Sequence, residues 1–261
     1  MMPGTETVWV AVATLAAVTS ILLSYSVRVI RVGRLRTARL EGERGTALLG
    51  RYPIEAFHWA LRAVGKVLVR SGLSPDTLTI LSLVFTAATI PLAATGQFEL
   101  SGLMLLFGSA FDAFDGIVAR ELGIASDGGE MLDAVIDRYA DACCLLGLAL
   151  FYRTHVVGLT IVLGAMIGSM MVSYVRAKAE ALGVDVPAGL MRRPERIAYL
   201  AGALVFGRVL SSWLPAGSAS APATLAVVGM VAVISNLSAV QMLSHARSQL
   251  RARRRIESRA A

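Results

Sequence analysis

The sequence predicts an all-α integral membrane protein, and three observations support that fold class. Of the 261 residues, 56% are hydrophobic and 16% are charged, whereas a soluble domain carries about 25% charged residues. The mean hydropathy is +0.65. The apolar residues also come in long blocks, as helices that cross a bilayer require. This composition excludes a disordered chain, and the lack of a repeat of fixed period in the sequence excludes a solenoid.

Seven apolar blocks are long enough to cross the hydrocarbon core of a bilayer, which takes about 20 residues of helix. The first block is preceded by Glu6 and by no basic residue, and an arginine-rich segment follows it. That arrangement is typical of a signal anchor with an external N-terminus and not of a cleaved signal peptide. The predicted spans are approximately residues 7–27, 77–96, 101–119, 132–152, 156–175, 195–213 and 222–243.

The segment between the first and second spans is strongly basic and ends in a predicted amphipathic helix. It carries seven arginines between Arg28 and Arg51. From Pro53 to Ser71, apolar residues recur at helical spacing, and three basic residues and a histidine occupy other faces. This pattern predicts a helix that lies in the membrane interface. An ordinary cytoplasmic linker helix is the alternative.

The distribution of basic residues predicts the orientation. They concentrate in residues 28–76, 120–131 and 176–194 and after Arg247, while the opposite side keeps little beyond Arg153 and Arg208. The positive-inside rule therefore predicts an external N-terminus and a cytoplasmic C-terminus. Topology explains the net charge of +7 better than nucleic-acid binding does, so no nucleic-acid partner is expected. The arginine-rich tail could contact anionic membrane lipids, or it could serve only to fix the topology.

Four aspartates lie near the predicted cytoplasmic ends of two successive apolar helices. Asp112 and Asp115 are three residues apart and share one helix face, and Asp133 and Asp137 are four apart and share another. Two antiparallel helices joined by a short loop would bring these faces together. A single aspartate of this kind could simply face water at the interface, but that reading explains four in register poorly.

The same four carboxylates predict a metal site. In a place of low dielectric constant they need cations to offset their mutual repulsion. Oxygen ligands without histidine or cysteine favour Mg²⁺ or Mn²⁺. Two such ions, about 3.5–4 Å apart, would suit a displacement at phosphorus. Because ionisable groups at membrane depth usually mark function, the sequence predicts a two-metal site for phosphoryl-type transfer.

The aspartates belong to a longer pattern, D-x2-D-G-x2-A-R-x8-G-x3-D-x3-D, which resembles the signature of the CDP-alcohol phosphatidyltransferase family. The resemblance covers about residues 53–245 and leaves the first span and its arginine-rich linker outside. It implies a bundle of six transmembrane helices, a homodimer, and a site open to the cytoplasm. The eight fixed positions are Asp112, Asp115, Gly116, Ala119, Arg120, Gly129, Asp133 and Asp137.

The resemblance also implies the chemistry, which is transfer of a phosphatidyl group from CDP-diacylglycerol, or a similar CDP-lipid, to a polar alcohol with release of CMP. By this resemblance Asp112, Asp115 and Asp133 bind metal, and Asp137 binds metal and takes the proton from the attacking hydroxyl. A nearby cation makes an alcohol more acidic, so a carboxylate can serve as its base. Arg120 could pair with phosphate, or it could only mark the interface.

Further residues resemble nucleotide contacts of the phosphatidylinositol phosphate synthase subfamily. The sequence from Ser74 to Thr77 reads locally as a turn and a helix cap, and it also resembles the nucleotide-contacting turn of that subfamily. Ser126 matches another such position, and Gly116 leaves room for a diphosphate. The predicted CDP-lipid-binding residues are Ser74, Pro75, Asp76, Thr77, Gly116, Arg120 and Ser126.

A group of cations between two spans predicts the acceptor. The segments that begin at Ser173 and Arg192 resemble the S-Y-x-K-A-R-A-E and R-P-E-R segments of bacterial phosphatidylinositol phosphate synthases and their archaeal relatives. Arginine and lysine are swapped in the first segment, and residues 184–189 differ from the expected glycine-rich loop, so glycerol 3-phosphate, serine and other alcohols stay open, as does a purely topogenic role. The residues that would hold the phosphate of inositol 1-phosphate are Arg176, Lys178, Arg193 and Arg196.

The complete prediction is a multi-pass enzyme of the cell membrane whose active site faces the cytoplasm. Residues 1–50 form an N-terminal transmembrane anchor and linker, residues 51–245 form the phosphatidyltransferase domain, and residues 246–261 form a basic cytoplasmic tail. A transporter is the competing class, but no inverted repeat or matched pair of interrupted helices is visible in the sequence. A non-catalytic scaffold is disfavoured because an unused cluster of charges would only lower stability.

Overall fold

The protein is described by a computed structural model over residues 5–34, 50–213 and 221–260. Within these residues it consists of eight α-helices and contains no strand, as the sequence predicts. The helices are α1 (Thr5–Val32), α2 (Arg51–Ser71), α3 (Pro75–Ala94), α4 (Phe98–Glu121), α5 (Asp127–Phe151), α6 (Val156–Ala181), α7 (Arg193–Ser211) and α8 (Pro222–Ala260).

Five of the seven predicted spans coincide with helices that are long and apolar enough to cross a membrane. These are α1, α3, α4, α6 and the part of α8 from Pro222 to Ile256. The chain is therefore a multi-pass membrane protein. Helices α5 and α7 form where the other two spans are predicted, but charged side chains make them less apolar. Those side chains are Asp127, Glu130, Asp133, Asp137, Arg138 and Asp141 in α5, and Arg193, Glu195, Arg196 and Arg208 in α7.

Local signals fix where the helices of the bundle begin. Ser74 caps α3 by accepting a hydrogen bond from the backbone N–H of Thr77 at 3.2 Å, and Pro75 supplies the first helical residue. Ser126 caps α5 in the same way through Gly129. At the start of α7, the backbone N–H of Arg192 donates to the buried Glu195 carboxylate at 2.8 Å. These caps set the register with which α3, α5 and α7 enter the site.

The bundle packs α3 against α4 and α5, α4 against α7, and α6 against α8. Its largest buried cluster includes Leu148, Val162, Leu204 and Val228, which come from four different helices. Gly108 lets α4 approach α3 closely, because a Cβ there would collide with the methyl group of Thr86. Close approach through small residues is typical of helices packed in membranes, where hydrophobic burial does not drive association.

The two N-terminal helices pack against this bundle and against each other. Helix α2, the predicted amphipathic helix, packs on α4, where Ile117 fills the space left by Gly65. The buried hydroxyl of Tyr25 in α1 donates to Glu55 of α2 at 2.9 Å. The extra N-terminal helix of the prediction is thus present and docks on α2. The arginine-rich linker falls mostly outside the described residues, and the predicted basic tail continues α8 as far as Ala260.

Candidate active site

Three of the four predicted aspartates converge between α4 and α5. Asp112 lies on α4, and Asp133 and Asp137 lie one turn apart on α5. One carboxylate oxygen from each residue lies within 4.8 Å of those of the other two, and all three residues are half-buried. The meeting of two helix faces, predicted from the spacing of the aspartates, is therefore seen for these three residues.

Asp115, the fourth aspartate, lies beside this group in a more buried position. It is 7% exposed. The hydroxyl of Thr79 donates to one carboxylate oxygen at 2.6 Å, and the backbone N–H of Gly116 donates to the other. These two donors fix the orientation of the Asp115 carboxylate. Thr79 lies one turn after Pro75, so the first turn of α3 is held close to the aspartates.

The aspartate group has the chemistry of a site for a hard divalent cation. Three carboxylates supply oxygen ligands at converging positions, as Mg²⁺ or Mn²⁺ prefers. Asp112 Oδ1 is buried, and no residue in the described part of the chain donates a hydrogen bond to it. A buried carboxylate oxygen of this kind calls for a positive partner. The residues present therefore fit a bound metal.

Arg193, the first residue of α7, reaches directly into the aspartate group. Its Nη1 lies 2.8 Å from Asp112 Oδ2, and its Nη2 lies 2.8 Å from Asp137 Oδ1. Its Nε donates to Asp141 Oδ1 at 3.0 Å. The guanidinium thus joins α4, α5 and α7 through one side chain. Sequence reasoning placed Arg193 in an acceptor pocket, and the structure puts that position in contact with two of the predicted metal ligands.

Asp141 is the residue that sequence reasoning missed. It accepts hydrogen bonds from Arg193 and, through its other oxygen, from Arg196 Nη2 at 2.9 Å. A signal for it was present in the sequence. Asp133, Asp137 and Asp141 are spaced by four residues, so they continue one face of α5 towards the middle of the helix. An acidic residue deeper in an otherwise apolar helix is unlikely to face lipid and requires a buried partner.

The remaining predicted acceptor residues lie in different surroundings. Arg176 is half-buried near the end of α6 and donates to the backbone carbonyl of Ala188 at 3.0 Å. It therefore ties α6 to the loop that leads into α7. Lys178, two residues later, is exposed. Of the four predicted cations, the structure joins Arg193 and Arg196 to the aspartates by direct contacts.

The predicted CDP-lipid residues occupy the ends of α3, α4 and α5 around the aspartates. Ser74 and Ser126 serve as helix caps, which accounts for their local conformation. The guanidinium of Arg120 lies against Gly116, where a Cβ would come within 3.0 Å of Nη1. Glycine at 116 therefore lets this side chain fold back against its own helix. Asp76 and Thr77 are exposed in the first turn of α3, and nucleotide contact by these residues stays a prediction.

A cavity with polar and apolar walls extends from Asp112 into the bundle. Its empty volume is about 440 Å³, including open solvent. Leu105, Ile197 and Leu200 form part of its wall, and four hydroxyl side chains and four charged residues of the site form another part. These lining residues are Ser82, Thr86, Ser109 and Ser169, with Asp112, Asp141, Arg193 and Arg196.

Comparison with known proteins places this geometry in a family. The model of the CDP-alcohol phosphatidyltransferase family matches residues 73–243, from just before α3 into α8. A phosphatidylinositol phosphate synthase of Mycobacteroides abscessus is 35% identical over 194 residues, which cover 72% of this chain and 86% of that protein. An archaetidylinositol phosphate synthase of Pyrococcus horikoshii is 39% identical over 157 residues, covering 57% of this chain and 78% of the relative.

Solved structures of Mycobacterium tuberculosis phosphatidylinositol phosphate synthase have the same fold. The complex with manganese and citrate superposes with a TM-score of 0.63 at 28% identity, covering 71% of this chain and 88% of that one. The structure with CDP-DAG bound gives a TM-score of 0.61 at 29% identity and covers 71% and 92%. The chain thus belongs to the CDP-alcohol phosphatidyltransferase family and is a membrane-embedded CDP-alcohol phosphotransferase similar to phosphatidylinositol phosphate synthases.

Proposed function

We propose that this enzyme transfers a phosphatidyl group from CDP-diacylglycerol to inositol 1-phosphate and releases CMP. The observation that carries the proposal is a pair of arginines at the start of α7. Arg193 contacts Asp112 and Asp137, and Arg196 contacts Asp141, which also binds Arg193. A phosphorylated alcohol needs cationic donors next to the groups that activate its hydroxyl. The relatives named above make phosphatidylinositol phosphate and archaetidylinositol phosphate, which agrees with such an acceptor.

The metal would be held by the four aspartates of the family pattern. We propose two ions, Mg²⁺ or Mn²⁺, with ligands from Asp112, Asp115, Asp133 and Asp137. When bound, the ions offset the charge of the donor's diphosphate and of the departing phosphate. The two donors to Asp115 do not prevent it from serving as a ligand, because each carboxylate oxygen has a further lone pair. Thr79 and Gly116 would instead keep that carboxylate in a fixed orientation.

The displacement then follows from the placement of Asp137. The acceptor hydroxyl oxygen forms a bond to the phosphorus that carries diacylglycerol, and the bond from this phosphorus to the oxygen of the CMP phosphate breaks. Asp137 accepts the proton of the hydroxyl, and CMP leaves with the electron pair of the broken bond. Asp137 contacts Arg193, so the proposed base and a proposed acceptor-binding cation lie side by side. A positioned base of this kind contributes about 10²–10⁴-fold to a rate.

Binding of the two substrates is divided between two sets of residues. The CDP-lipid would contact the turn from Ser74 to Thr77, Gly116, Arg120 and Ser126. The acceptor phosphate would contact Arg193 and Arg196 inside the bundle, with Arg176 and Lys178 nearer the surface. Arginine suits this task because its planar fork matches phosphate oxygens in pairs.

We further propose that the site faces the cytoplasm and that the enzyme works in the cell membrane as a homodimer among lipids. Support for the orientation comes from the arginines that follow α1 and that fill the end of α8, which the positive-inside rule places in the cytoplasm. The same orientation puts the aspartate end of α4 and the arginine end of α7 on that side.

The proposal is tested with purified enzyme, Mg²⁺, CDP-diacylglycerol and a panel of radiolabelled acceptors. Inositol 1-phosphate should be converted to a lipid product with stoichiometric CMP. Free inositol, serine and glycerol 3-phosphate should be converted at much lower kcat/KM. A higher kcat/KM with glycerol 3-phosphate would support the phosphate pocket but show that the acceptor is not inositol 1-phosphate. Preference for serine or free inositol would overturn the phosphate pocket and leave the family chemistry in place.

A further inference from the structure

Asp141 binds two arginines and has no role in the reaction described above. Its side chain is 9% exposed, and its two oxygens have different partners. Oδ1 accepts from Nε of Arg193 at 3.0 Å, and Oδ2 accepts from Nη2 of Arg196 at 2.9 Å. One buried carboxylate on α5 therefore holds two guanidiniums that lie one turn apart on α7.

Asp141 engages only one nitrogen of each arginine. Arg193 uses its Nε for Asp141, so its two terminal nitrogens remain for the site and contact Asp112 and Asp137. The side chain of Arg196 is 4% exposed. Its Nη1 is buried with no hydrogen-bond partner in the described part of the chain. Both arginines also line the cavity that extends from Asp112. The carboxylate thus takes one N–H group from each arginine and does not engage the other nitrogens.

The electrostatics explain why a carboxylate is needed there. Two guanidiniums close together in a poorly solvated place repel each other, and the Asp141 charge offsets that repulsion. Arginine side chains also have many rotamers, so a free pair would lose binding free energy when an anion ordered them. A carboxylate that bonds both side chains orders them before the substrate arrives.

We propose that Asp141 is a positioning residue for the acceptor, which orients Arg193 and Arg196 as a fixed pair of donors for its phosphate. The proposal rests on the proposed function, because it assumes a phosphorylated acceptor. Asp141 acts through the arginines and does not itself touch the reacting atoms. It therefore controls acceptor binding and leaves the CDP-lipid contacts on α3, α4 and the start of α5 unchanged.

The experiment compares Asp141→Asn with Glu99→Gln in the full-length enzyme, with KM measured separately for inositol 1-phosphate and CDP-diacylglycerol. Glu99 is a matched control because it is also buried and also faces an arginine, at the other end of α4. Asparagine keeps the size of the side chain, but it carries no charge and presents an NH₂ donor in place of one of the two accepting oxygens, so it cannot hold both arginines as the carboxylate does. Asp141→Asn should raise the KM for inositol 1-phosphate about tenfold or more and leave the KM for CDP-diacylglycerol within about twofold. Glu99→Gln should change neither.

A second comparison shows whether Asp141 works through the arginines. The effect of Asp141→Asn should not add fully to that of Arg193→Gln, because the two changes remove one interaction. If Asp141→Asn alone does not yield folded protein, the double variant of Asp141→Asn and Arg196→Gln is measured instead. The double variant removes a guanidinium together with the carboxylate charge. Its acceptor KM should exceed that of Arg196→Gln alone, because Arg193 has also lost its anchor.

The failures are distinguishable. Wild-type enzyme that uses inositol 1-phosphate, together with an unchanged acceptor KM in Asp141→Asn, overturns the positioning role and leaves the proposed function standing. Equal rises of both KM values overturn it as well, since they indicate a general structural defect. A wild-type enzyme that transfers only to unphosphorylated alcohols overturns the proposed function, and the positioning role fails with it.

Discussion

Helices α4 and α7 carry ionic groups at both of their ends, and the two groups differ in kind. At one end, Arg193 contacts Asp112, Asp137 and Asp141 at 2.8–3.0 Å. At the other end, Arg208 lies 3.9 Å from Glu99 and 5.6 Å above the ring of Phe98. Glu99 and Asp112 are thirteen residues apart on α4, which is about 20 Å of helix. The same pair of helices therefore holds a dense cluster and a loose pair.

The difference teaches which feature marks the active site. Within the described residues, a buried carboxylate oxygen without a hydrogen bond occurs at both ends, at Asp112 Oδ1 and at Glu99 Oε1, so that feature alone does not distinguish the two ends. What distinguishes the first end is convergence, because three carboxylates from α4 and α5 meet there. Such a group stays stable only with cations. At the other end a single carboxylate faces Arg208, whose side chain is 41% exposed.

Removal of divalent metal should give the largest difference between the two ends. The enzyme should lose all measurable transfer in EDTA and regain it when Mg²⁺ or Mn²⁺ is added, because in the proposed mechanism the four aspartates hold cations that offset the charge of the diphosphate. CMP release and lipid product are measured together in the same samples. Full turnover in EDTA would rule out the metal-dependent mechanism.

The substitution Asp137→Asn should lower kcat by about 10²–10⁴-fold, since it removes the proposed base. It also removes one carboxylate from the three that converge, so the Mg²⁺ concentration that gives half of the maximal rate should rise. The matched control is Glu99→Gln, which removes a buried charge from the loose pair. Its kcat should stay within about twofold of the wild type. Similar losses in the two variants would mean that buried charge at either end supports folding and not chemistry.

The arginines allow a sharper test of the same comparison. Arg196→Gln should raise the KM for inositol 1-phosphate about tenfold, because a hydrogen bond to a charged group contributes about 1.5–3 kcal/mol and 1.4 kcal/mol is a factor of ten. Arg208→Gln, on the same helix, should leave that KM unchanged. Both variants should keep the KM for CDP-diacylglycerol. If the two arginine variants have the same acceptor KM, the acceptor phosphate does not bind at the aspartate end.

The sequence predicted this cluster only in part, and the reason is geometric. Spacing along one helix is enough to place Asp133 and Asp137 on one face, because the helical period is fixed. The short loop between α4 and α5 is then enough to predict that Asp112 lies near them. The contact between Asp141 and Arg193 joins residues 52 positions apart. That contact depends on how α7 is rotated against α5, which no local pattern specifies.

The fold was predicted more completely than the site. Apolar blocks gave all eight helices of the described residues, including the amphipathic α2. Two of the seven predicted spans, α5 and α7, are less apolar than the other five, because they carry the charges of the site. Hydrophobicity identifies helices that face lipid, while helices that line a polar cavity are only partly apolar. The two helices that depart from the pattern are thus those that contribute Asp137, Asp141 and Arg193.

The smallest expected effect concerns stability at the loose end. Glu99→Gln should change the free energy of unfolding by no more than about 1 kcal/mol, because an ion pair with one exposed partner contributes little. Glutamine also avoids the desolvation of a buried charge, which offsets the loss of the contact to Arg208. For a chain of this size that corresponds to a shift in Tm of about 2–4 °C or less, which thermal unfolding in detergent can resolve. A much larger fall in Tm would show that Glu99 anchors α4 against α7. The two ends would then differ in chemistry but would both contribute substantially to the free energy of unfolding.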